Sequence, residues 1–113
     1  MTGSSTTYNA GTYFVEDAID LTPYKKLKIR VVSAKVNGAT EKGHVRFGTT
    51  TTKKNQYVVS SEQTIVTSPT GRNTVENEIF ELDISNVNGL QYLFINLFGS
   101  YEKTVSYSKW GLV

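Results

Sequence analysis

Four aromatic residues carry the clearest chemical signal in this chain. Tyr57, Tyr101, Tyr107 and Trp110 stand in or beside polar segments rather than inside apolar runs. Flat amphipathic rings stack on apolar C–H faces, those of sugars included, and keep their polar tips wet. Tyr101 follows Gly99-Ser100, where a side chain can stand free at a strand exit. Trp110 alternates with Ser106 and Ser108, so strict strand alternation gives it a face that is not uniformly apolar. Position therefore predicts Tyr101 and Trp110 as the leading ligand-binding residues, with Tyr57 and Tyr107 behind them. The competing reading is packing, in which Trp110 closes the core against the N-terminal strand beside Leu112. The phenylalanines, with Tyr92 and Tyr13, are read as core.

Two charged groups compete with the rings. Lys26, Lys28 and Arg30, extended by Lys25, form a basic stripe at strand spacing, and Lys53-Lys54 adds two cations on a threonine-rich segment. Such stripes suit an anionic glycan or a phosphate backbone. Alternating charge opposite an apolar face is also how a solvated sheet surface looks, with Glu76, Glu78 or Glu81 available as cross-strand partners. The solvated reading is preferred. Among carboxylates, Glu76 and Glu78 could reach the spacing of about 5–10 Å that glycoside hydrolysis needs. Acids at alternate positions of a surface strand are the default, however, and no partner is visible. Chain chemistry narrows catalysis further: there is no cysteine, and the one histidine, His44, has no recognisable nucleophile beside it. Gly38, Gly43 and Gly48 are spaced turns, not a phosphate loop. The expectation is a non-enzyme without a cofactor.

A net charge of +2 over 113 residues implies no nucleic-acid partner, and no apolar run approaches the length of a membrane span. Residues 1–12 read as a flexible leader or linker, without the charged-then-apolar profile of a signal peptide. Residues 13–113 read as a single domain.

The elements that must position these residues are strands. Phe80, Leu82 and Ile84 alternate with Ile79, Glu81 and Asp83, while Leu90 to Phe98 is apolar on both faces, as a covered central strand would be. Leu27, Ile29 and Val31 share a face, and then the phase moves to Val32, Ala34 and Val36, which predicts a bulge or a strand that switches partners. Asn37-Gly38 is the strongest local hairpin signal. A bulged or three-residue loop there would set Val45 opposite Val31 and Phe47 opposite Ile29, with His44 and Arg46 outward. Gly48 to Asn55 reads as a polar loop, Tyr57–Ser60 and Gln63–Thr67 as short strands, Ser68–Asn73 as a turn, and Thr104–Val113 as the last strand. The predicted core is Leu27, Ile29, Val31, Val45, Phe47, Phe80, Leu82, Ile84, Leu93, Ile95 and Leu97. The pattern indicates an all-β antiparallel sandwich of about eight short strands, with a closed barrel as the alternative.

One internal echo is present: Ile19-Asp20-Leu21-Thr22 before one strong strand and Leu82-Asp83-Ile84-Ser85 before another. The preferred reading is turn chemistry, with Asp, Ser and Thr bonding nearby backbone. The two passages, IDLTPYKKLKIRV and FELDISNVNGLQYLFINL, resemble jelly-roll β-sandwich modules of two overlapping kinds. These are the carbohydrate-binding modules of secreted glycan-degrading enzymes and the small sandwich domains of bacteriophage tail and receptor-binding proteins. The resemblance implies a non-catalytic recognition module of a larger secreted or virion-associated protein, with a glycan or cell-surface polysaccharide as partner. A purely structural virion or cell-surface domain, oligomeric through its parent protein, is the alternative. Many such modules hold a structural calcium ion near the first strand, where Glu16, Asp17 and Asp20 offer oxygens.

Overall fold

The computed structural model describes residues 7–8, 11–37, 42–54, 58–99 and 102–113. Side chains are described from residue 11 onward. Branched and aromatic residues in alternation with polar ones produce nine strands among these residues and no helix. They are β1 (Thr7–Tyr8), β2 (Gly11–Phe14), β3 (Ile19–Asp20), β4 (Lys26–Val36), β5 (Gly43–Thr50), β6 (Val59–Ser68), β7 (Thr74–Asp83), β8 (Leu90–Gly99) and β9 (Lys103–Leu112). No helix among the described residues is long and apolar enough to cross a membrane.

One sheet runs β1-β9-β4-β7 and the other β2-β8-β5-β6, with β3 joining the β8 edge beyond β2. Every pairing is antiparallel. The chain passes from sheet to sheet at nearly every connection, and this interleaved order is that of a jelly-roll sandwich. Among the described residues, strand pairing begins at Thr7, inside the stretch expected to be a leader.

The eleven aliphatic and aromatic positions predicted for the core, from Leu27 to Leu97, are buried between the sheets, whereas Phe98, Tyr13, Phe14 and Tyr92, also read as core, are not. Aromatic contacts tie the two layers together. Phe47 of β5 meets Phe80 of β7 edge-on at 6.5 Å and Trp110 of β9 at 6.2 Å. Each such pair contributes about 0.5–1.5 kcal/mol beyond the area it buries.

The expected β4–β5 hairpin does not form. Strand β4 has β7 on one edge and β9 on the other, while β5 lies between β6 and β8 in the opposite sheet. Val31 and Ile29 thus share a core with Val45 and Phe47 but pair with none of them. Gly38 and the residues to 41 lie outside the described ones. The expected loop at 48–55 is also revised: Gly48, Thr49 and Thr50 end β5, and both threonines are fully buried. From Val59 on, the two short strands expected there are one strand, β6.

Turn chemistry explains the echo. Asp20 Oδ1 accepts the Thr22 backbone N–H at 3.0 Å, and Asp83 Oδ1 accepts the Ser85 backbone N–H at 2.9 Å and its hydroxyl at 2.6 Å. In each turn the residue after Asp, Leu21 or Ile84, is fully buried, and its carbonyl accepts from the residue three further on. The two turns touch: Thr22 Oγ1 and the Leu21 N–H both bond Gly89, and the Ile84 N–H bonds the Lys25 carbonyl. Thr22, through its hydroxyl and its N–H, holds the Asp20 carboxyl below its usual range, and Ser85 does the same for Asp83.

Candidate functional site

The outer face of the β2-β8-β5-β6 sheet combines an exposed ring with ordered polar groups. Antiparallel pairing sets side chains of neighbouring strands side by side on one face. One rung is Thr12, Asn96, Arg46 and Thr64, and the next toward the sheet end is Phe98, His44 and Thr67. Phe98 is 55% exposed although the strand that bears it is central. Its ring stacks on the His44 imidazole, with centroids 5.2 Å apart and planes 21° from parallel.

A hydrogen-bond chain crosses three strands beneath this ring pair. His44 Nε2 donates to Asn96 Oδ1 at 2.9 Å, and Asn96 Nδ2 donates to Thr12 Oγ1 at 2.8 Å. Because Oδ1 only accepts, the proton of the neutral imidazole sits on Nε2. Partial burial holds His44 below its ordinary pKa, and the charge of Arg46 pushes the same way. The Asn96 bond and Glu62 oppose them. Arg46 is itself steered by Thr64 Oγ1 at 3.2 Å and Glu62 at 3.3 Å. Phe98, His44, Arg46, Lys42, Thr67 and Pro69 border an open hollow of about 270 Å³.

Backbone crowding sets the hollow's shape. Gly43 pairs with Gly99 in the adjoining rung, and a Cβ on Gly99, which has φ of 135°, would lie 3.0 Å from the Gly43 Cα. The other end of the same face is closed. Phe94 is fully buried there, Lys53 Nζ sits 5.0 Å over the Tyr92 ring, and the Thr50 hydroxyl donates to the Val58 carbonyl at 2.6 Å. Lys53 thus lies over that end, while the Phe98 end stays open.

The rings picked from sequence fare differently. Trp110 is 2% exposed and Tyr107 is 7% exposed, so the expectation that they stand free at the surface is corrected. Their rings meet edge-on at 5.5 Å inside the sandwich. Both face inward, despite being three residues apart, because β9 carries an extra residue, Ser108, between the partners of Arg30 and Val31. Tyr57 and Tyr101 lie outside the described residues. Phe98 and Tyr13, both expected in the core, are exposed rings, and Phe14 and Tyr92 are only partly buried. An apolar residue at the strand exit beside Gly99-Ser100 was the available signal.

The remaining candidates settle into surface roles. Lys26 and Lys28 pair with Glu81 at 3.4 and 3.3 Å, and Glu78 is taken by Arg72. These partners, led by Lys28 for Glu81 and Arg72 for Glu78, hold both carboxyls below the usual range. Among the described residues no three Asp, Glu, His or Cys side chains gather as metal ligands. Glu16, Asp17 and Asp20, the residues offered for a calcium ion, do not form such a group, and Asp20 Oδ1 accepts the N–H of its own turn. Compared with known proteins, the chain matches no family model, and no curated protein or solved structure matches it either.

Proposed function

We propose that this domain is a non-catalytic glycan-recognition module of a larger secreted or phage tail-associated protein. Its binding face is the open end of the β2-β8-β5-β6 sheet. The observation that carries this reading is the Phe98 ring, more than half exposed, held flat by His44 and flanked by Arg46 and the Asn96–Thr12 pair. A sugar needs one apolar plane for its C–H face and fixed donors and acceptors for its hydroxyls, and this face offers both. Stacking the ring on imidazole removes its rotational freedom before a ligand arrives, which lowers the entropy cost of binding. A partner of this kind places the module outside the cell or on a virion.

A glycan array with the purified domain tests the proposal. A neutral polysaccharide should be retained by wild type and lost with Phe98→Ala, while the fold survives. If no glycan is retained, the assembly role in a virion or cell-surface protein replaces this reading. If Phe98→Ala keeps full affinity, the face is wrong.

A further inference from the structure

The opposite face of the sandwich carries a basic hollow in which two of the three cations have no carboxylate partner among the described residues. Lys28, Arg30, Ile79, Lys109 and Gly111 line a depression of about 340 Å³ on the outer side of β9-β4-β7, and its walls are largely carbon. That volume is at the lower end of the roughly 300–1,000 Å³ range of small-ligand sites. Arg30 stands directly opposite Lys109 in the β4–β9 ladder, and Lys28 stands opposite Gly111. Like charges directly opposite each other destabilise a sheet. No carboxylate among the described residues reaches ion-pair distance of Arg30 or Lys109, since Glu81 is taken by Lys26 and Lys28. Arg30 instead leans on Ser108 Oγ at 3.0 Å, the extra residue of β9. Gly111 supplies a floor with no side chain, and Ile79, 61% exposed, supplies an apolar wall.

We propose that this hollow binds an acidic saccharide unit, a uronate or a sulfated sugar, at a site separate from the Phe98 face. The anionic group sits between the Arg30 guanidinium and the Lys109 ammonium, where a planar fork and a point charge meet it. The sugar ring lies against Ile79 and over Gly111. An ordinary solvated lysine face has neither an adjacent pair of unpaired cations nor a carbon-walled hollow between them.

Affinity electrophoresis at about 150 mM salt, which screens diffuse charge, tests the site. The probes are polygalacturonate, dextran sulfate and neutral dextran. Wild type should be retarded by one or both acidic polymers and not by dextran, and the two acidic arms distinguish carboxylate from sulfate. Arg30→Gln and Lys109→Gln should each weaken retardation about tenfold, the loss expected for one charge-assisted contact. Gly111→Val fills the floor without changing charge. Its Cβ would lie 3.8 Å from the Lys28 Cβ, an ordinary contact, so the variant should melt with wild type and still lose binding. Phe98→Ala should leave retardation by the acidic polymers unchanged, which separates this site from the proposed glycan face. The proposal is overturned if no acidic polymer retards the wild type. It also fails if Gly111→Val binds normally, if Lys54→Gln weakens binding as much as Arg30→Gln, or if duplex DNA binds more tightly than either polysaccharide.

Discussion

Asn77 stands across the β4–β7 ladder from Val32, and both lie on a line where three neighbouring strands change phase. On β4 the buried positions move from Leu27, Ile29 and Val31 to Ala34 and Val36. On β7 they move from Val75 to Phe80 and Leu82, and on β9 from Val105 and Tyr107 to Trp110. Val32 and Ser108 are each passed over in the β4–β9 pairing, one on each strand, so the register beyond the fault matches the register before it. On β7 the change is made by Asn77, whose φ of 48° lies in the left-handed region. A sheet can shift its inward face along one line without losing pairing on either side.

Asn77 is therefore a backbone position more than a side-chain one. Asparagine tolerates the left-handed region better than other residues with a Cβ, and a β-branched residue tolerates it poorly. Asn77→Gly should be neutral or slightly stabilising in urea denaturation, and Asn77→Val should cost about 1–2 kcal/mol. Equal stabilities would mean that β7 runs straight through this line.

Trp110 should behave as core. Trp110→Ala removes a ring in contact with Phe47 and Tyr107. It should cost about 3–5 kcal/mol. Phe98→Ala, at a ring more than half exposed, should cost less than about 1 kcal/mol. Thermal melts of the two variants should fall in that order, and the reverse order would invert the facing of β9.

His44 gives stability a slope with pH. Its folded pKa is lowered, chiefly by burial, from 6.5. The unfolded chain then binds more protons in the window below that value, so stability rises with pH. The His44 contribution should be fully present above about 6.5. It should be lost as pH falls through the lowered folded value. Urea midpoints measured from acid to neutral pH should show this slope in wild type and a flatter one in His44→Gln. Identical slopes would place the effect elsewhere.

Gly48 should resist any side chain. A Cβ there would run into the carbonyl oxygen of Ser61, a backbone atom of β6 that cannot swing aside. Gly48→Ala should cost at least about 1–3 kcal/mol by overpacking. A Gly48→Ala domain as stable as wild type would show that β5 and β6 separate more easily than their ladder implies.

Period and branching were enough to read much of this fold from the sequence. The inward faces of Leu27–Val31 and Phe80–Ile84 follow from alternation alone, because a one-residue slip would expose an entire apolar face. The bulge at Val32 was legible too, since the apolar positions of β4 visibly change parity there. The matching shift in β9 was not. Its signal depends on which strand lies alongside, and only pairing with β4 makes Ser108 the extra residue that turns Trp110 inward. Asn37-Gly38 misled for a related reason. Turn propensity is local, whereas both edges of β4 are occupied by strands distant in sequence. The candidate binding face was also beyond sequence reading, because Phe94 and Phe98 sit on the same side of one apolar strand. Tertiary structure alone decides that Phe94 is buried at the end where Lys53 lies over Tyr92, while Phe98, beside the Gly43–Gly99 rung, is open to solvent.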